Sequence, residues 1–137
     1  MHSTEVRILI VERNPRMRDF LRREFSRRNF ILEDAGNVGE LFSKLDSDIP
    51  VHLVVLSVNA PEGLDGELLQ QLVTNYPHIP VILHSYLEEL SDEPFLRKVA
   101  AMVEKSGNPE NLTRMVSVVL SRYYPDLISD EPEKDDV

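Results

Sequence analysis

Short β-branched runs alternate with helix-starting signals along most of the chain, and this alternation narrows the possible folds more than any other feature. Val6-Arg7-Ile8-Leu9-Ile10-Val11 has the length and composition of a strand. Asn14 then precedes Pro15, a side-chain cap followed by a residue whose ring presets the helical φ, which predicts a helix running to about Asn29. Met17, Phe20, Leu21 and Phe25 form its apolar stripe. Phe30-Ile31-Leu32 reads as a second, short strand. Asn37 and Glu40 have capping-box spacing and open a helix with Val38, Leu41, Phe42 and Leu45 inward.

The pattern continues with a nearly all-apolar strand from Val51 to Leu56, as expected where both sheet faces are covered. Pro61, Gly63 and Gly66 punctuate the loop after it. A helix is predicted over Leu68–Tyr76, ended by Pro77, and a strand over Ile79–Leu83. Pro94 interrupts any long helix within 86–99, so a fourth crossover helix there should be irregular or shortened. Ala101-Met102-Val103 is a weak fifth strand, and Asn108-Pro109 opens a last helix to about Tyr124, with Leu112, Val116, Val119 and Leu120 inward. The expected architecture is a flavodoxin-like, doubly wound α/β fold: five parallel strands in the order 2-1-3-4-5, joined by right-handed crossovers. Residues 1–124 make one domain. Residues 125–137 form an acidic tail or linker with too little apolar content to fold.

Composition excludes several function classes. There are no cysteines, so disulfides and thiolate metal sites are out, and a reducing cytoplasm suits the chain. No apolar run approaches membrane-spanning length, and MHSTEVR lacks the pattern of a secretion signal, so no membrane partner is expected. The formal net charge of −9 argues against general nucleic-acid binding. His2, His52, His78 and His84 lack zinc-enzyme spacing, no G-x-G-x-x-G follows the first strand, and no G-x-S-x-G surrounds Ser57.

In such sheets, sites lie beyond the carboxyl ends of the strands. Here those positions hold Glu12 and Arg13, Ser57, Ser85 and Lys105. With the segments VRILIVE, LVVLSVNAPEGLDG and YPHIPVILHS in this order, residues 5–122 resemble the receiver domain of bacterial response regulators. The resemblance implies two-component (phosphorelay) signalling. It also implies a phosphoacceptor aspartate at position 57, an acidic pair at 12 and 13, a Ser/Thr switch position at Ser85 and a lysine at Lys105.

The chain departs from that pattern where the chemistry would occur. Position 57 is Ser57, the acidic pair has become Glu12 and Arg13, the aromatic switch position is Met102, and Ser106 follows the lysine in place of proline. A serine hydroxyl is a poor nucleophile without an adjacent base. His84, the nearest candidate, should point away from Ser85's face by strand alternation and take a buried hydrogen bond. Mg²⁺ favours oxygen ligands including carboxylates, and only Glu12 remains of three, so loss of Mg²⁺ binding is expected and no other cofactor is implied. Arg13 or Lys105 could take the metal's place beside Glu12, or Arg13 could simply face solvent.

The expectation is a pseudo-receiver, not an enzyme, acting by contact with a signalling protein such as a histidine kinase or another regulator. Two rivals stand beside it: a response regulator phosphorylated at a nonstandard site such as Asp65, and a small-ligand sensor using the strand-end pocket. Residues 1–28 hold eight Arg against four acids. Arg16, Arg18, Arg22 and Arg23, with Arg27 and Arg28, make the first helix a candidate docking face for an acidic partner or for the acidic tail; the plainer reading is a solvated face. The sequence sets neither the partner nor the oligomeric state.

Overall fold

The computed structural model describes residues 5–57, 66–86, 97–105 and 108–127. They form a five-stranded parallel sheet in the order β2-β1-β3-β4-β5. The strands are β1 (Val6–Val11), β2 (Phe30–Asp34), β3 (Leu53–Ser57), β4 (Val81–Ser85) and β5 (Ala101–Glu104). The described helices are α1 (Pro15–Arg27), α2 (Val38–Leu45), α3 (Gly66–Asn75) and α4 (Glu110–Tyr123). Fold class and strand order are those expected from the sequence. The loop with Pro61 and Asp65 and most of the expected irregular helix, 87–96, lie outside the described residues, which resume with a short 3₁₀ turn at Arg97–Lys98.

Alternation along each strand builds two cores. Ile8, Ile10, Leu53, Val55, Ile82 and Val103 face α1 and α4, where Leu21, Phe25, Leu112, Val116 and Leu120 close over them. Leu9, Val54, Leu56, Val81 and Leu83 face α2 and α3, against Leu41, Leu69 and Leu72. Burying a side chain as fully as Phe25 is worth about 1.5–3 kcal/mol of hydrophobic transfer.

Local signals act largely as expected. The Asn14 side chain accepts from the Arg16 and Met17 amides, and that of Asn37 accepts from Glu40, satisfying helix N–H groups that have no intrahelical partner. Glu40 reaches back to Gly36 N at 2.7 Å, closing the start of α2. Asn108 Oδ1 accepts from Glu110 N, so it caps α4 although Pro109 stands between. Asn29 holds φ at 65°, the left-handed turn that sends the chain from α1 into β2.

Several expectations are corrected. Val38 is 44% exposed because it occupies the first helical position, before the inward stripe of α2 begins. β2 runs on to Asp34, and β3 begins at Leu53. Ile79 is buried but lies in a turn, its amide bonded to Tyr76 O, so β4 starts two residues later than the apolar run suggests. The packed chain also extends beyond 124, since Leu127 packs against the α1/α4 core.

At the amino ends of the strands, the Arg7 amide donates to His52 Nδ1 at 3.0 Å and His52 N donates to Arg7 O. The His52 ring meets Tyr124 edge-on at 5.2 Å. Burial and the nearby Arg7 charge hold this imidazole below its ordinary pKa.

Candidate functional site

The carboxyl rim of the sheet inherits the two faces of the strands. Ser57 continues the row of Leu53 and Val55, and His84 that of Ile82, both on the α1/α4 side. Ser57 and His84 are register partners across β3 and β4. Glu12 follows Ile10 at the same spacing, and Lys105 follows Val103. Pairing persists to Lys105, whose amide donates to Ser85 O at 2.9 Å. A row therefore crosses the rim in strand order: carboxylate, hydroxyl, imidazole, ammonium.

Glu12 organises this row. It is 4% exposed, and Ser57 Oγ donates to its Oε1 at 2.5 Å. Oε2 accepts from Asn14 N at 3.0 Å, and its backbone carbonyl accepts from Arg18 Nη1 at 3.0 Å. The same residue thus fastens β3 to β1 and fixes the turn into α1.

Sequence reasoning set His84 aside as a buried histidine; the structure buries it, but on the same sheet face as Ser57. Alternation does separate it from Ser85, but Ser85 is the residue on the opposite face from Ser57. His84 is 2% exposed, and its Nδ1 has no hydrogen-bond partner among the described residues. Burial chiefly, then the Lys105 charge, push its pKa down to about 4 despite an upward pull from Glu12. The ring is neutral at pH 7. Counting alternation from Ser57 rather than Ser85 is the signal that would have found it.

The remaining candidates separate. Ser85 is buried, and its Oγ lies 3.3 Å from Tyr86 O. Lys105 is half-buried, with its ammonium 5.8 Å from the Tyr86 ring centroid, within cation–π range. Arg13 is exposed, and Met102 is 48% exposed on edge strand β5. Arg18 and Arg22 do not form a common exposed face with Arg16 and Arg23. Arg18 Nε lies 3.4 Å from Asp34 Oδ2, and Arg22 bonds Leu32 O at 3.1 Å with Asp34 Oδ2 at 3.4 Å, so both fasten α1 to β2.

Among the described residues the rim offers few donors for a divalent cation. Glu12 is the one carboxylate in the row, and both its oxygens already accept hydrogen bonds. Among the described residues no group of three His, Cys, Asp or Glu side chains could hold a metal ion.

The receiver fold is shared with solved structures. A response regulator, TrrA of Thermotoga maritima, solved in complex with Mg²⁺-BeF, is 27% identical over 84% of this chain and 99% of its own, with a TM-score of 0.70. A CheY-like receiver domain protein of Methanospirillum hungatei is 22% identical over 90% and 99%, TM-score 0.72. The signal receiver domain of an HD domain-containing protein of Pseudomonas fluorescens is 18% identical over 92% and 94%, TM-score 0.72. No protein-family model matches the chain, and no curated protein matches it. The class defined by the fold is thus the CheY-like receiver architecture. Within it, this chain carries Ser57 bonded to Glu12 at its strand ends.

Proposed function

We propose that this chain is a phosphorylation-independent pseudo-receiver of a two-component (phosphorelay) pathway, acting in the cytoplasm by protein–protein contact rather than as an enzyme. The observation that carries the reading is the Ser57–Glu12 hydrogen bond, which occupies the centre of the rim with a neutral hydroxyl held by the local carboxylate. Mg²⁺ binding is absent on this reading. The partner is a signalling protein such as a histidine kinase or another regulator, docking on α1 through the exposed Arg16 and Arg23. Arg18 and Arg22 set the pose of that helix against β2.

Incubation with acetyl phosphate and Mg²⁺, read by intact mass, should add no phosphoryl group. A stoichiometric, hydroxylamine-sensitive adduct marks an acyl phosphate and would overturn the proposal, including for an acceptor such as Asp65, which lies outside the described residues. The unpartnered Nδ1 of His84 favours a second reading, a rim that binds a small ligand able to hydrogen-bond the imidazole. Such a ligand would raise the melting temperature of the parent, and the rise would vanish in His84→Leu.

A further inference from the structure

The basic end of α1 lies where the acidic end of the chain departs. α1 and α4 both run back from the carboxyl rim of the sheet and pack over the same core, so their C-terminal ends share one end of the molecule. That end carries the exposed Arg23 and Arg27 of α1 and its C-cap residue Arg28, with Arg122 of α4. The acids beside them are few: Glu24 pairs with Arg27 at 3.5 Å, and Asp126 is exposed. Phe25 and Phe30 are in ring contact at 6.2 Å, and Leu127 packs on the core cluster that holds both. Leu127 therefore fixes the point from which residues 128–137 start.

Those ten residues hold five acids (Asp130, Glu131, Glu133, Asp135 and Asp136) against Lys134, a net of −4. Extended at ~3.3 Å per residue they reach roughly 33 Å. The thirteen residues of α1 span about 20 Å at ~1.5 Å per residue. Charge, origin and reach match one occupant of the basic face. We propose that the acidic segment 128–137 docks on the exposed arginines of α1, centred on Arg23, Arg27 and Arg28, and covers this face against acidic partners. The tether makes the contact intramolecular, so a weak charge interaction competes at high effective concentration. Exposed charge pairs are individually weak, so the contact is reversible and salt-sensitive. A partner docks when its acidic surface outcompetes the tail. The proposal rests on the reading of α1 as a docking face, but the tail contact can be tested with no partner present.

The chain has no cysteine, so Val137→Cys in the full chain gives a single attachment point for a nitroxide label. Amide signals of residues 22–29 should lose more than half their intensity at ~0.01 M salt, while those of α3, on the opposite face, keep theirs. At ~1 M salt, where the screening length falls from ~30 to ~3 Å, the lost intensity should return. It should also return in Arg23→Glu/Arg27→Glu/Arg28→Glu. A second variant leaves α1 intact and changes the five tail acids to amides, and there the broadening should likewise vanish. The three arginines are exposed, and the same spectra report whether the fold is kept in either variant. Broadening that is absent from α1, equal on α3, or unchanged by salt and by either variant overturns the tail contact. Loss of the tail contact would leave partner docking to be judged separately, by binding of an acidic partner to the Arg16/Arg23 face.

Discussion

His84 should make the domain acid-sensitive in a specific pH window. Its folded-state pKa is about 4, against about 6.5 for the exposed imidazole of the unfolded chain. Above 6.5 the ring is neutral in both states and contributes no pH dependence. Below 6.5 the unfolded chain takes up a proton that the folded chain refuses, so stability falls as pH drops from 6.5 to 4. With about 2.5 units between the states, the loss approaches about 3 kcal/mol at pH 4, and about 2 kcal/mol of it is present by pH 5. Against a total of roughly 5–15 kcal/mol, that is large. The assay is urea unfolding followed by circular dichroism at pH 7.5 and pH 5, for the parent and His84→Leu. Leucine fills a similar volume and removes the unpartnered Nδ1. At pH 7.5 the variant should match the parent within about 1 kcal/mol or exceed it. At pH 5 it should be more stable by about 2 kcal/mol beyond that difference, since every other ionisable group is common to both proteins. Equal losses in the two proteins would refute the reasoning, because they would mean that the folded protein tolerates a charge on this buried ring.

Ser57→Asp with Arg13→Asp should raise the melting temperature on Mg²⁺ titration where the parent does not respond, since three carboxylates would then meet at the rim; a folded double variant without a response would show that the rim geometry is unsuited to the ion. Asn37→Ala should cost about 1 kcal/mol in urea unfolding, because the 2.8 Å bond to Glu40 N is lost, and a change below ~0.3 kcal/mol would mean that water replaces the cap. Removing residues 128–137 should leave thermal stability nearly unchanged, as expected of a tail held only by screened charge; a loss above ~2 kcal/mol would mean that it packs apolar surface. Arg22→Ala should destabilise more than Arg23→Ala, because only the former loses bonds to Leu32 O and Asp34, and equal melting points would remove the assigned strut.

The fold was legible because its determinants are local. Val6–Val11 and Leu53–Leu56 are long enough and apolar enough to be read as buried strands, and Asn14-Pro15 and Asn37 declare helix starts through their own side chains. Strand edges were less legible because apolarity reports burial, not pairing: Ile79 is buried in a turn, and Val51 lies outside β3. At the site, Glu12 and Ser57 could be placed from the strand ends they follow. Their bond could not, since it joins residues 45 positions apart. The face of His84 depended on the residue chosen as reference. Arg18 and Arg22 look like solvated charges in one dimension, because helical periodicity gives no sign that Asp34 waits at the end of the neighbouring strand. Position 106 and the 58–65 loop lie outside the described residues, so those departures from the receiver pattern rest on sequence alone.

The two hydrogen bonds on the Glu12 carboxylate also set a direction for mutational change. Ser57→Asp alone would bring a second negative charge to the point where a hydroxyl proton now bridges 2.5 Å, and the Asn14 amide keeps Glu12 facing that point. Glu12→Ala alone would strand Ser57 Oγ and loosen the turn into α1. Either single change therefore costs stability at this carboxylate, so substitutions at positions 12 and 57 should couple in a double-mutant cycle rather than add.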